Sequence, residues 1–332
     1  MNVLMKQAAL IITLVIGGLS ASANELATRS EIKDTVLNLF LAKDFTSLEE
    51  MASDFRRNDA RTSSGLRKLH LFYSGVGNAA RFSFQHVYSD EQSTLDIADA
   101  WIDAFPQSPT AALARATVQR ELGWHYRGGG YASTVSGDDY RAFIQNIEIA
   151  DDLLRETEDY ASIDSYYYYL RAHNLKELGA DQTEFLAVMH EGLLDFPDAY
   201  QLHFAGVNYF APKWHGSAEL IEAYARSAIR FSSQTEPYAL YARIYWYASQ
   251  TQYGLNLFSD SDVVWSDMRR GINSVLLEFP DQWNIQNFAV FACVANDVEL
   301  TRDLLNRIDE PILVHDLRNP EVMAYCMDVA NL

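Results

Sequence analysis

The sequence predicts an all-α fold, an irregular α-solenoid of antiparallel helix pairs. Three observations carry this. Apolar residues recur every three or four positions along most of the chain, the spacing of a helix face. Only 8 prolines and 16 glycines occur in 332 residues, too few for a turn-rich β-sandwich. No alternating run is followed by a two-residue turn, so no hairpin is expected. A hydrophobic content of 48% excludes a disordered chain.

The first element is not part of the fold. One cation, Lys6, precedes the apolar run 8–19 (AALIITLVIGGL), and Ala21-Ser22-Ala23 follows with small residues at both positions a signal peptidase reads. This is the layout of a secretory signal peptide over 1–23, cleaved after Ala23. An uncleaved anchor is the competing reading, but it needs ~20 apolar residues to cross a bilayer. No Cys follows the run for lipid attachment. The mature chain is therefore expected to be periplasmic or secreted, with no membrane insertion after cleavage. Loss of Lys6 leaves 25 basic against 45 acidic residues, moving the formal charge from −19 to −20. Such a surface repels nucleic acid and anionic head groups, whose binding depends on Lys and Arg displacing counterions.

Helices are expected near 29–42, 46–59, 64–74, 92–105, 109–125, 138–157, 163–178, 181–195, 199–209, 217–231, 236–252, 261–279, 282–295, 297–308 and 319–330. In the fourth, Leu95, Ala98, Trp101, Ile102 and Phe105 make one stripe. In the tenth, Ile221, Tyr224, Ala225, Ala228 and Ile229 do the same. Short connections make successive helices antiparallel neighbours. Three of the helices end alike, in WIDAFPQSP (101–109), GLLDFPDAY (192–200) and LLEFPDQW (276–283). Proline cannot continue the old helix but suits the turn into the next. This Phe-Pro hinge is the punctuation of tetratricopeptide-like helical pairs. The prolines lie 91 and then 83 residues apart, not multiples of a ~34-residue period, so the repeat is irregular. Residues 24–235 form one helical region, and 236–332 add pairs that continue the same solenoid. The 19 tyrosines, four of them consecutive at 166–169, point around their helices. Packing between helices is the bland account of each, and a groove-lining role the sharper one.

Two segments stand out for chemistry, GWHYRGGGYASTVSGDDYRAF (123–143) and APKWHGSAELIEAYA (211–225). Each joins a Trp-His pair to glycine. The glycines 128–130 lack the Gly-Lys-Ser/Thr ending and preceding strand of a phosphate loop. They read more simply as a helix end, with Ser136 and Asp139 starting the next helix as a capping box. In the second segment Pro212 stops a helix, Gly216 permits a tight approach or positive φ, and Ser217 is a natural N-cap. Trp214 is then the anchor of the turn. The functional alternative gathers Trp124, Arg127, Trp214 and His215 into one binding pocket.

Catalytic templates are absent. The run MHEGLL (189–194) opens like a zinc-protease helix but carries Leu194 where the second His must stand. No Gly-x-Ser-x-Gly elbow occurs. No metal site and no cofactor is expected. Cys293 and Cys326 are either bridged, as an oxidising compartment allows, or two buried thiols in apolar helices.

In order along the chain, LFLAKDFTSLEEMASDFRRNDARTSSGLRKLHLFY (39–73), GWHYRGGGYA (123–132) and PKWHGS (212–217) resemble a bacterial domain-of-unknown-function family (four-zero-three-four). Trp124, Arg127, Gly128, Trp214, Gly216 and Ser217 stand at its pattern positions. The resemblance covers roughly 30–230 and implies a helical, tetratricopeptide-related fold. It transfers no activity. The expected function is a helical-repeat scaffold binding a protein or peptide partner without catalysis. The alternative is a small-molecule-binding protein or hydrolase-like enzyme with its pocket at the two Trp-containing loops.

Overall fold

A computed structural model describes residues 24–332 except 88–90, 215, 232–236 and 310. The expected signal peptide and His215 lie outside the described residues. Among those residues the protein is helical throughout. The only β-type contact there is an isolated bridge between Arg61 and Arg67.

The helices are α1 (Glu25–Leu41), α2 (Phe45–Arg57), α3 (Lys68–Phe82), α4 (Glu91–Ala104), α5 (Pro109–Arg127), α6 (Gly137–Glu156), α7 (Glu158–Ala161), α8 (Ser165–Leu178) and α9 (Gln182–Asp195). There follow α10 (Tyr200–Tyr209), α11 (Ala218–Phe231), α12 (Pro237–Ala248), α13 (Leu257–Asp260), α14 (Trp265–Glu278), α15 (Gln282–Val294), α16 (Val298–Asn306), α17 (His315–Arg318) and α18 (Pro320–Ala330). Contacts run from one helix to the next and to the next but one. Thus α3 lies on α1 and α5, α8 on α6, α9 and α10, and α12 on α10, α11 and α14. One apolar core extends through the stack, with Trp101, Tyr73, Tyr167, Tyr241 and Tyr245 its largest fully buried side chains.

Local signals place the ends. Ser108 accepts from the amides of Thr110 and Ala111, with Pro109 at the first position of α5, where its missing N–H costs nothing. Ser136 accepts from Asp139 N–H, and Asp297 from Leu300 N–H. Asp281 accepts from Trp283 N–H. At each Phe-Pro joint the helix stops one residue before the Phe, whose own amide closes the last turn. Phe105 N–H donates to Trp101 O, Phe196 N–H to Gly192 O and Phe279 N–H to Val275 O. All three rings are half-buried against the core.

One helix begins later than its spacing predicts: α3 starts at Lys68, not near 64. The reason is a distant carboxylate. Glu25, fully buried, accepts from Thr62 Oγ1 at 2.7 Å, Ser63 Oγ at 2.9 Å, Ser64 N at 3.1 Å, Ser64 Oγ at 2.7 Å and Arg29 Nε at 2.6 Å. Burial alone would raise its pKa, but Arg29 and the hydroxyls hold it below the usual carboxylate range. These bonds hold 62–64 as a turn and leave Gly65 at φ 96°, which a side chain rarely tolerates. The outer face of that turn meets the other end of the chain. Ser64 O accepts from Arg243 Nη2 and from Asn284 Nδ2, both at 3.1 Å. The Arg29 guanidinium lies 4.8 Å from the Trp283 ring centre. Near the C-terminus, Cys293 of α15 and Cys326 of α18 form a disulfide, with Cα atoms 5.2 Å apart. No helix among the described residues is long and apolar enough to cross a membrane.

Candidate functional site

The two Trp segments fold largely as helix punctuation. Helix α5 ends at Arg127, and Gly128, at φ 65°, donates its amide to Trp124 O. The Arg127 guanidinium turns back onto the carbonyls of Gly128 and Gly130. It lies 5.0 Å from the Trp124 ring centre and 5.9 Å from that of Phe143. Arg127 thus ties down the glycine loop that follows its helix, with its guanidinium against an aromatic pair. In the second segment Trp214 N–H closes a turn onto Ala211 O at 2.9 Å. Ser217 Oγ accepts from Leu220 N–H at 3.3 Å. Gly216 is required by close approach rather than by positive φ, for a Cβ there would stand 1.8 Å from Phe210 O.

Both tryptophans are half-buried, and neither stands alone. Trp124 lines a cavity of about 430 Å³ with Arg81, Gln85, Arg120, Glu121, His125 and the Gly128–Gly129 backbone. Arg120, one turn before Trp124 on α5, donates to Glu177 Oε1 of α8. The same oxygen lies 3.7 Å from Lys176 Nζ, and that ammonium sits 4.2 Å from the Trp214 ring centre. A continuous string, Trp124–Arg120–Glu177–Lys176–Trp214, therefore joins the two segments. Arg127 is not in it.

Four other side chains adjoin the string. His70 of α3 meets the Tyr169 ring at 4.6 Å and the Tyr166 ring at 5.1 Å, both edge-on. His173, one turn after Tyr169 on α8, lies 4.4 Å from it. Spacings of three, four and three put Tyr166, Tyr169, His173 and Lys176 on one face of α8. His70 is only half-buried by surface, yet burial pushes its imidazole down to about 3. Burial, then Lys176, Arg120 and His70, push His173 well below its ordinary value, so both imidazoles are neutral at pH 7. Burial lowers the Lys176 ammonium to about 8, against the pull of Glu177 and with the push of Arg120 and Lys213.

Several polar atoms here are buried without a hydrogen-bond partner: Trp124 Nε1, Arg120 Nε, His173 Nε2 and Glu177 Oε2. Such orphans, each costing ~1–3 kcal/mol, also occur elsewhere, among them Arg56 Nε, Ser83 Oγ, Thr94 Oγ1, Asn174 Nδ2, Arg243 Nε and Tyr253 Oη. No His, Cys, Asp or Glu group among the described residues is arranged to hold a metal ion. The sequence pointed to Trp124 and Trp214. It did not single out Arg120, His70, His173, Lys176 or Glu177, which chain neighbours do not reveal. The four-residue step from Arg120 to Trp124 and the polar-aromatic stripe on α8 were the available signals.

A second cavity, of about 340 Å³, lies between α9 and α11, with Leu186, Met189, Leu193, Phe210 and Leu220 on its walls and His203 among its lining residues. His203 is fully buried, its Nε2 2.8 Å from Pro197 O and its Nδ1 3.3 Å from Tyr224 Oη. Neither tryptophan reaches it.

No family model, curated protein or solved structure matches this chain.

Proposed function

We propose that this chain is an exported, tetratricopeptide-like solenoid of antiparallel helix pairs that binds a small ligand in the cleft between the C-terminal ends of α3 and α5. Export rests on the signal-peptide layout of 1–23. The binding reading rests on one observation, a cavity of about 430 Å³ that Trp124 lines together with Arg81, Arg120, Glu121 and His125. A concave site that sets a few polar side chains beside an aromatic ring is the form a mostly preformed small-molecule site takes.

A small ligand fits better than the protein or peptide partner expected from composition. The tyrosines that could serve as anchors for a partner surface are mostly core, including Tyr73, Tyr166, Tyr167, Tyr168, Tyr241 and Tyr245. An anchor must be exposed before binding to contribute. Of the rings that stay partly accessible, Trp124 lines the cavity, while the more exposed Tyr131, Tyr140 and Tyr325 do not.

The test is a thermal-shift screen of the mature protein against uncharged, anionic and cationic small molecules, repeated on Trp124→Phe. The reading expects compounds that raise the midpoint of the parent and do so less in the variant. If every stabilising compound acts equally on both proteins, or none stabilises the parent, the cleft is not a ligand site.

A further inference from the structure

Independently of that cleft, we propose that the second cavity, between α9 and α11, takes an uncharged ligand with an apolar body of about ten to twelve carbon atoms.

The walls are the first ground. Leu186, Met189 and Leu193 come from α9, Leu220 and Tyr224 from α11, and Phe210 from the end of α10. No Asp, Glu, Lys or Arg is among the described lining residues, in a chain that is 21% charged. Leu186 and Leu220 are exposed and stand at the mouth, whereas Met189, Leu193, Phe210 and Tyr224 are buried. The cavity therefore reaches below the surface, a depth that a slim apolar body enters and a flat partner face does not. An apolar cavity of ~150 Å³ takes benzene, so about 340 Å³ holds roughly twice that much carbon. It also falls in the range of small-molecule sites.

Hydrogen bonding is the second ground. Pro197 O can only accept, so His203 Nε2, 2.8 Å away, carries the proton. His203 Nδ1 is then an acceptor, and Tyr224 Oη donates to it at 3.3 Å. Ser227 Oγ donates to Ala223 O at 3.0 Å. These polar groups of the wall are satisfied within the protein, so the interior calls for no charged ligand group. Tyr224 lies on Gly206 of α10, where a Cβ would stand 2.2 Å from its Cζ and 2.4 Å from its Oη. Glycine inside a helix is costly, and a larger residue here would lift the ring off α10. Gln182 and His190, exposed on α9, give the mouth a polar edge for one neutral head group. An acid head is disfavoured, because α9 and α11 carry Glu184, Glu191, Asp195, Glu219 and Glu222 against Arg226 and Arg230.

Fluorescence titration of the mature protein with the uncharged probe N-phenyl-1-naphthylamine, and its displacement by 1-decanol and by decanoate, tests this. The probe should bind, and 1-decanol should displace it at a concentration at least ~10-fold below that needed of decanoate. Leu186→Gln and Ala223→Phe change exposed positions on the α9 and α11 walls, where folding tolerates them. Each should weaken 1-decanol ~10-fold, the first by adding a polar group and the second by filling the space. Leu194→Gln is the control, at a position on α9 that is 65% exposed but outside the cavity, and should leave binding unchanged. Trp124→Phe, in the first cleft, should do the same. The proposal is overturned if the folded parent binds no probe, if decanoate matches 1-decanol, or if binding survives both wall variants. Equal loss in Leu194→Gln would mark non-specific apolar adsorption, and loss in Trp124→Phe alone would move the probe to the first cleft. A parent dimer that Leu186→Gln dissociates would give these walls to a second copy. Each of those three outcomes overturns it as well.

Discussion

Gly216 shows what a single missing methyl decides. Its α-carbon passes so close to the α10 end that a Cβ would sit 1.8 Å from Phe210 O and 2.3 Å from Phe210 C. Backbone cannot swing aside as a side chain can, so Gly216→Ala should cost ~3 kcal/mol or more. Urea denaturation of the mature protein measures it. Gly129→Ala is the matched control, with nothing within 4 Å of its added carbon, and should change stability by less than ~0.5 kcal/mol. Histidines offer a second prediction at this scale. His70 is pushed down to about 3, His203 to about 4 and His173 well below the ordinary value, burial being the first cause in each. Their folded-state values lie below the unfolded ~6.5. The unfolded chain therefore binds more protons between about pH 6.5 and 4, and stability is full above 6.5 and falls as pH drops through that window. Each histidine contributes a slope of up to ~1.4 kcal/mol per pH unit. Stability measured at pH 7 and at pH 5 should differ, and His203→Gln should shrink the difference. A flat profile down to pH 5 would refute the buried neutral assignment.

At the level of elements, much was readable because its cause is local. Ser108, Ser136 and Ser217 cap the helices that follow them, and capping needs only the next three residues. The Phe-Pro corners are set within four residues. Elements whose cause is remote were not readable. The start of α3 is moved by Glu25, 37 to 39 positions away. The link from Trp124 to Trp214 runs through Arg120 and Glu177, 57 positions apart. Arg127, adjacent to the glycines, binds the carbonyls of Gly128 and Gly130 just past the end of its own helix. The bond between α15 and α18 carries its own prediction. Its loop separates the cysteines by 33 positions, worth ~3–4 kcal/mol in the chain-entropy account. A mature protein with both Cys293 and Cys326 changed to Ala should lose about that much, and a reductant should lower the melting midpoint of the parent but not of this variant.

Across the whole molecule, the contact of Ser64 with Arg243 and Asn284 sets this protein apart from an open array. In an open array each repeat touches only its neighbours, and stability is a sum of neighbouring pieces. Here the first and last thirds share a buried carbonyl. Unfolding should then be a single transition, with near-ultraviolet and far-ultraviolet signals coincident in urea. Asn284→Ala removes one of the two donors to Ser64 O and should cost ~1–2 kcal/mol, felt by hydrogen exchange in α1 as well as in α15. Protection lost in α15 alone would show that the ends are not coupled.

That shared carbonyl also orders events in time. A chain made from its N-terminus lays down Ser64 early, but Arg243 lies 179 positions later and Asn284 220 positions later. A nascent polypeptide can build the Glu25 turn at once and still wait for most of its length to be synthesised before the turn is covered. Closing so wide a span is slow compared with forming the helices on either side. Until α15 arrives, the surface that will receive it remains open to chaperones and proteases, so release of the finished chain, not formation of the first helices, marks the moment this protein becomes stable.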